Sequence, residues 1–175
     1  MKKLFIYFSL AIFISVLTAS DMPSTEVQYK CMIQIKNYKG EGAYVIVSLI
    51  NPKGDYEKTL YVLGDDTEWY YEMSSWWKFY GKKRTKLDGI TGATVGGGER
   101  AMCILNLDKD KINRGYRLRF ESAVENQEYH EKDLEIRLNK SNLSKKLEGK
   151  GYLRYVRLSL IHIYAADEVR RVGGG

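Results

Sequence analysis

Glu26-Val27-Gln28-Tyr29-Lys30-Cys31-Met32-Ile33-Gln34-Ile35-Lys36 is the stretch whose reading decides the fold. Val27, Tyr29, Cys31, Ile33 and Ile35 fall on one side of an extended chain, and Gln28, Lys30, Gln34 and Lys36 on the other. Side chains alternate faces along a strand, so this period of two predicts a half-buried β-strand. Beyond it, Lys39-Gly40-Glu41-Gly42 predicts a turn, and Ala43 to Ile50 is apolar enough for a strand buried on both faces. Asn51-Pro52-Lys53-Gly54-Asp55 is a tight turn, with proline pre-setting φ and glycine taking the left-handed position, and Tyr56 to Leu63 returns as a strand. Further strands are predicted at 101–107, 115–124, 133–138 and 152–157. In 115–124, Tyr116, Leu118, Phe120 and Val124 form the buried face, opposite Arg117, Arg119 and Glu121. About seven short strands between turn signals predict an all-β fold, an Ig-like antiparallel β-sandwich. One segment departs from this pattern. Asp66-Thr67-Glu68 offers a helix N-cap, and Trp69, Met73, Trp76, Trp77 and Tyr80 recur at helical spacing. This predicts one short helix capping an end of the sandwich, its aromatics contributing to the core.

The 175 residues carry 28 Lys+Arg and 22 Asp+Glu, a formal net charge of +6, and the hydrophobic and aromatic fractions are 44% and 13%. These values describe one compact, mildly basic domain and exclude a disordered polyelectrolyte. The first 20 residues have the form of an export signal: Lys2 and Lys3, an apolar stretch from Leu4 to Leu17, then small residues Thr18-Ala19-Ser20. The stretch is short for a membrane span, which needs about 20 apolar residues. The expected product is periplasmic or otherwise extracytoplasmic, with a domain over residues 24–157 and no stable span after cleavage. Leu158-Ser159-Leu160-Ile161-His162-Ile163 resembles the translation of a sequencing-library adaptor, and residues 158–175 are set aside from the fold reading on that basis.

Few residues suggest conventional catalysis. Cys31 and Cys103 fall on two strands; outside the cytoplasm such a pair either forms a disulfide or remains as two small buried hydrophobes. His130 has no histidine companion in the trusted region, and Asp108, Asp110 and Asn113 lack the glycine and terminal glutamate of a calcium loop. No Ser-His-Asp order, phosphate loop or dinucleotide fingerprint occurs, and the modest charge together with export argues against nucleic acid as a partner.

The informative segment follows the helix. Four of the five residues from Lys82 to Lys86 are cationic, which suits anionic groups such as phosphates. Asp88-Gly89-Ile90-Thr91-Gly92-Ala93-Thr94 then resembles the acceptor motif of extracytoplasmic flavin transferases of the ApbE type, Asp-Gly-x-Ser/Thr-Gly-Ala-Thr. The resemblance implies that Thr94 receives FMN through a phosphoester bond with FAD as donor, and that Asp88, Thr91, Gly92 and Ala93 are recognition residues. It also implies that the transferase holds the metal. A wider similarity covers 54–63, Trp69, Trp76-Trp77, the motif and 116–125, in that order. These resemble the predicted periplasmic proteins of domain of unknown function 2271, which occur beside flavin transferases and PepSY-type membrane redox proteins. Val95-Gly96-Gly97-Gly98 replaces a usual Pro-Gly, and Leu107-Asp108-Lys109 a usual Trp-Asp-Gly. What the resemblance implies is a flavin-carrying electron-transfer protein, with Trp69, Trp76 or Trp77 stacking on the flavin ring. The alternative is an unmodified Ig-like binding or assembly module whose glycine-rich loop is only a turn.

Overall fold

The computed structural model describes residues 25–83 and 90–162. The export-signal residues, Asp88, Gly89 and the end of the adaptor-like segment lie outside this range. Seven long strands are present: β1 (Glu26–Ile35), β2 (Tyr44–Ile50), β3 (Tyr56–Leu63), β5 (Arg100–Asp108), β6 (Arg117–Ala123), β7 (His130–Arg137) and β9 (Leu153–Leu160). Two-residue strands β4 (Thr91–Gly92) and β8 (Lys146–Leu147) complete them. They form two sheets, ordered β5-β1-β9-β8 and β4-β3-β2-β6-β7. All pairings are antiparallel except β3 with β4. The expected β-sandwich is what forms.

Tyr29, Cys31, Ile33 and Ile35 of β1 are buried, as their alternation predicts, and pack with Val45, Val47, Leu49, Leu105, Leu118, Phe120, Leu134, Ile136 and Val156 in the core between the sheets. A buried carboxylate ties the sheets together at one point. Asp133 on β7 is 1% exposed and accepts from the backbone N–H of Gly151 at 2.7 Å and of Leu153 at 2.9 Å, and from the Ser122 hydroxyl. Leu153 opens β9 in the other sheet, so this side chain joins the sheets and satisfies backbone donors that burial would otherwise orphan.

Two expectations are corrected. First, the helical segment does not cap an end of the sandwich. A 3-10 turn at Thr67–Glu72, N-capped by Asp66, leads into helix α1 (Ser74–Lys83). Tyr70, Met73 and Trp76 from this segment pack on Tyr44, Ile46, Val62 and Ala123, on the outer face of the five-stranded sheet. The reason lies in β2, all seven of whose residues are buried: that strand needs cover on both faces, and the second sheet supplies only one. Tyr70, which helical spacing did not single out, is 1% exposed and donates its hydroxyl to the Gly64 carbonyl at 2.8 Å. Second, the last strand does not end at Arg157. It runs to Leu160, with Leu158 buried opposite Cys31, because the adaptor-like residues continue the apolar alternation.

Candidate functional site

The acceptor-like segment crosses the β3 edge of the five-stranded sheet. Val62 donates to the Ile90 carbonyl at 2.8 Å and Gly64 to the Gly92 carbonyl at 2.5 Å, the pairing that makes β4. Three residues later the chain changes partner: Ala43 and Val95 exchange backbone bonds of 2.7 and 3.0 Å. Ile90 is anchored in the outer cluster with Tyr70 and Trp76, whereas Val95 is anchored in the inner core. Thr94 lies between these anchors, held by backbone pairing on both sides rather than by its own side chain.

Thr94 is half-buried, Ala93 is exposed, and Thr91 and Gly92 are half-buried. The Thr94 side chain rests on Gly42, where a Cβ would come 2.4 Å from the Thr94 Oγ1. Only glycine at position 42 leaves the hydroxyl this place. No described residue hydrogen-bonds that hydroxyl, so it keeps its nucleophilic oxygen uncommitted. Gly92 is close to Tyr61, whose hydroxyl would lie 3.1 Å from a Cβ there.

The glycines after Thr94 form a tightly packed turn, not a loose loop. A Cβ on Gly97 would meet the Tyr38 carbonyl oxygen at 2.5 Å; Gly98 has φ +82° and donates to the Lys36 carbonyl at 3.0 Å. Both positions therefore require glycine, for close approach and for backbone conformation respectively. Gln34, 5% exposed, clamps the turn by donating to the Gly98 carbonyl at 2.8 Å and the Glu99 carbonyl at 3.1 Å.

The other predicted site residues separate. Trp76 is fully buried, donates Nε1–H to the Thr59 hydroxyl at 2.9 Å, and stacks on Tyr80 at 5.0 Å. It has no open face for a flavin, which corrects its assignment as a stacking residue. Trp77 is 37% exposed, and Trp69 is half-buried. Lys82 is exposed at the end of α1, while the rest of the cationic run and Asp88 fall outside what is described.

Beneath α1 lies a polar group that alternation did not reveal as buried. Glu121 is 0% and Arg119 4% exposed. Glu121 accepts from the Tyr129 hydroxyl, and the Tyr56 hydroxyl faces the same carboxylate without closing a hydrogen bond. Arg119 pairs with Glu135 at 2.8 Å and Glu131 at 3.2 Å, and lies over the Tyr56 ring at 4.9 Å. Burial raises the Glu121 pKa to about 7, against the opposing effect of Tyr129 and Arg119. Burial, with Glu121 second, pushes Tyr129 upward, so this phenol stays protonated. The signal in the sequence was indirect: β2 is apolar on both faces, and β6 is its neighbour. Among the described residues no group of three or more His, Cys, Asp or Glu is placed to hold a metal.

A family model described as "Predicted periplasmic protein (DUF2271)" matches residues 26–155, and the chain belongs to that family. No curated protein and no solved structure matches it. Among the described residues no helix is long and apolar enough to cross a membrane.

Proposed function

For this periplasmic member of the DUF2271 family, we propose a role as a carrier of covalently bound FMN, modified at Thr94 and serving extracytoplasmic electron transfer. The observation that carries the reading is the coincidence of the acceptor-like motif with the geometry of its last residue. Thr94 is partly exposed, uncommitted in hydrogen bonding to any described residue, seated on Gly42 and flanked by the exposed Ala93 and the buried Val95.

In the attachment step, the Thr94 oxygen attacks the FMN-side phosphorus of FAD; the new P–O bond forms as the bond to AMP breaks. AMP leaves, and the hydroxyl proton passes to a base on the transferase, which also supplies the metal. Bound FMN supplies one- and two-electron redox chemistry, and the protein contributes position and electrostatics. On this reading the exposed Lys82 and Trp77 are the residues assigned to the phosphate and the ring, and a PepSY-type membrane redox protein is the partner class.

The test is flavin fluorescence retained by the denatured band on a gel, after co-expression with a flavin transferase. Wild type is expected to fluoresce, Thr94→Ala to be dark, and Thr94→Ser to recover the signal. A dark wild-type band overturns the reading and leaves an unmodified binding or assembly module.

A further inference from the structure

The two cysteines, which the flavin reading leaves unused, stand directly opposite each other. In the antiparallel pairing of β1 with β5, Cys31 is the register partner of Cys103. The type of pair follows from the ends of the ladder. Ile35 N–H donates to the Glu99 carbonyl at 3.0 Å, and Lys109 N–H to the Thr25 carbonyl at 2.8 Å. Hydrogen-bonded and non-hydrogen-bonded pairs alternate along an antiparallel ladder. Residue 31 is an even number of positions from both 25 and 35, so Cys31 and Cys103 form a hydrogen-bonded pair. Such pairs have a Cα separation of about 5.5 Å, within the range that disulfides span, and a bond here has to draw the two Cβ atoms closer than the ladder alone sets them. Both side chains point into the core, at 0% and 6% exposure, and both are free thiols in this structure.

We propose that Cys31 and Cys103 form a cross-strand disulfide in the exported protein, bolting edge strand β5 to β1. The compartment supports it, since disulfides form and persist in the periplasm. The step is a thiol–disulfide exchange. An exported dithiol oxidase in its disulfide form accepts two electrons and two protons from the cysteines, becomes the dithiol, and leaves the new S–S bond behind. Both thiols are buried once the sheet has closed, and neighbouring Cys103 and burial together hold the Cys31 thiol well above the ordinary range. The exchange therefore takes place while β5 is still open, and the finished bond is shielded from reduction.

The position gives the bond a purpose. β5 is the edge of its sheet and shows Met102 and Ile104 outward at 62% and 52% exposure, the kind of edge that invites pairing with another chain. It also starts six residues after Thr94, so fixing β5 fixes the frame behind that segment. Tyr61 of β3 brings its hydroxyl near Gly92, and burial, with Cys103 second, raises its pKa. This inference goes beyond the flavin reading and stands without it.

The full chain, exported to an oxidising periplasm, is to be denatured in iodoacetamide without reductant and weighed intact. The expected species is monomeric, carries no alkyl group and is lighter by two hydrogens; prior reduction adds two alkyl groups. Two alkyl groups without reduction, or disulfide-linked dimers, overturn the proposal. Reduction is expected to lower the melting temperature by roughly 5 °C or more. An unchanged melting temperature would contradict the bolting of β5.

Discussion

The two faces of the five-stranded sheet are covered differently, and the covering determines what each face contains. The inner face, built by Val45, Val47, Leu49, Leu118, Phe120, Leu134 and Ile136, meets a second sheet and is apolar apart from the Asp133–Ser122 pair that joins the sheets at the start of β9. The outer face carries Ile46 and Val62 but also Ser48, Arg119 and Glu121, all buried. Sheet-on-sheet packing presents no partner for a charge at its centre. The aromatic segment over the outer face does, because Tyr56 and Tyr129 bring hydroxyls to Glu121 while Glu131 and Glu135 reach Arg119. Buried charge is tolerated where partners can be assembled, and Glu121 remains the least compensated member.

The sharpest way to break this contrast is to cut into the inner face. Phe120→Ala is expected to lose about 3–5 kcal/mol, measured by urea unfolding, because the packed sheets cannot collapse into the cavity. A loss below about 1 kcal/mol would mean that the inner face is not the rigid one. Next comes the join between the sheets. Asp133→Ala removes the acceptor for two backbone N–H groups and the Ser122 hydroxyl, and is expected to cost about 3 kcal/mol by the same measurement.

The outer face should reveal itself through pH. The folded protein holds the Glu121 proton more tightly than the unfolded chain, with the pKa raised from 4.5 to about 7. That contribution is fully present below the unfolded value and is lost as pH rises through the folded one. Between pH 5 and pH 8 wild type is expected to lose at most about 3 kcal/mol on this account. Glu121→Gln should flatten the profile; an equally steep profile in the variant would assign the dependence to another group. The smallest effect belongs to Trp77, partly exposed beside Tyr70 and Tyr80. Trp77→Ala is expected to cost less than about 1 kcal/mol while leaving the outer cluster folded.

The inner face was legible in the sequence because alternation in 26–36 and 115–124 is a local property of the chain. The outer face was not, since the burial of Arg119 and Glu121 depends on a segment some forty residues earlier folding back over them. The position of α1 was misjudged for the same reason: helical spacing marks which residues are buried, not what they are buried against. Tyr70 was missed because its burial comes from a 3-10 turn, whose period differs from the α-helical one. At the candidate site, the motif identified Thr94, but only the structure showed Gly42 beneath it and the tight glycine turn behind it. Trp76 and Trp77 look equivalent in sequence, yet one is sealed and the other reaches solvent.

The central claim concerns the chemical state of Thr94, and peptide fragmentation reads that state directly. After co-expression with a flavin transferase, tandem mass spectrometry of the peptide containing residues 90–100 should place one FMN, less water, on Thr94 and on no other residue. The same peptide found only in its unmodified mass, with the transferase active on another acceptor in the same cells, would contradict the account.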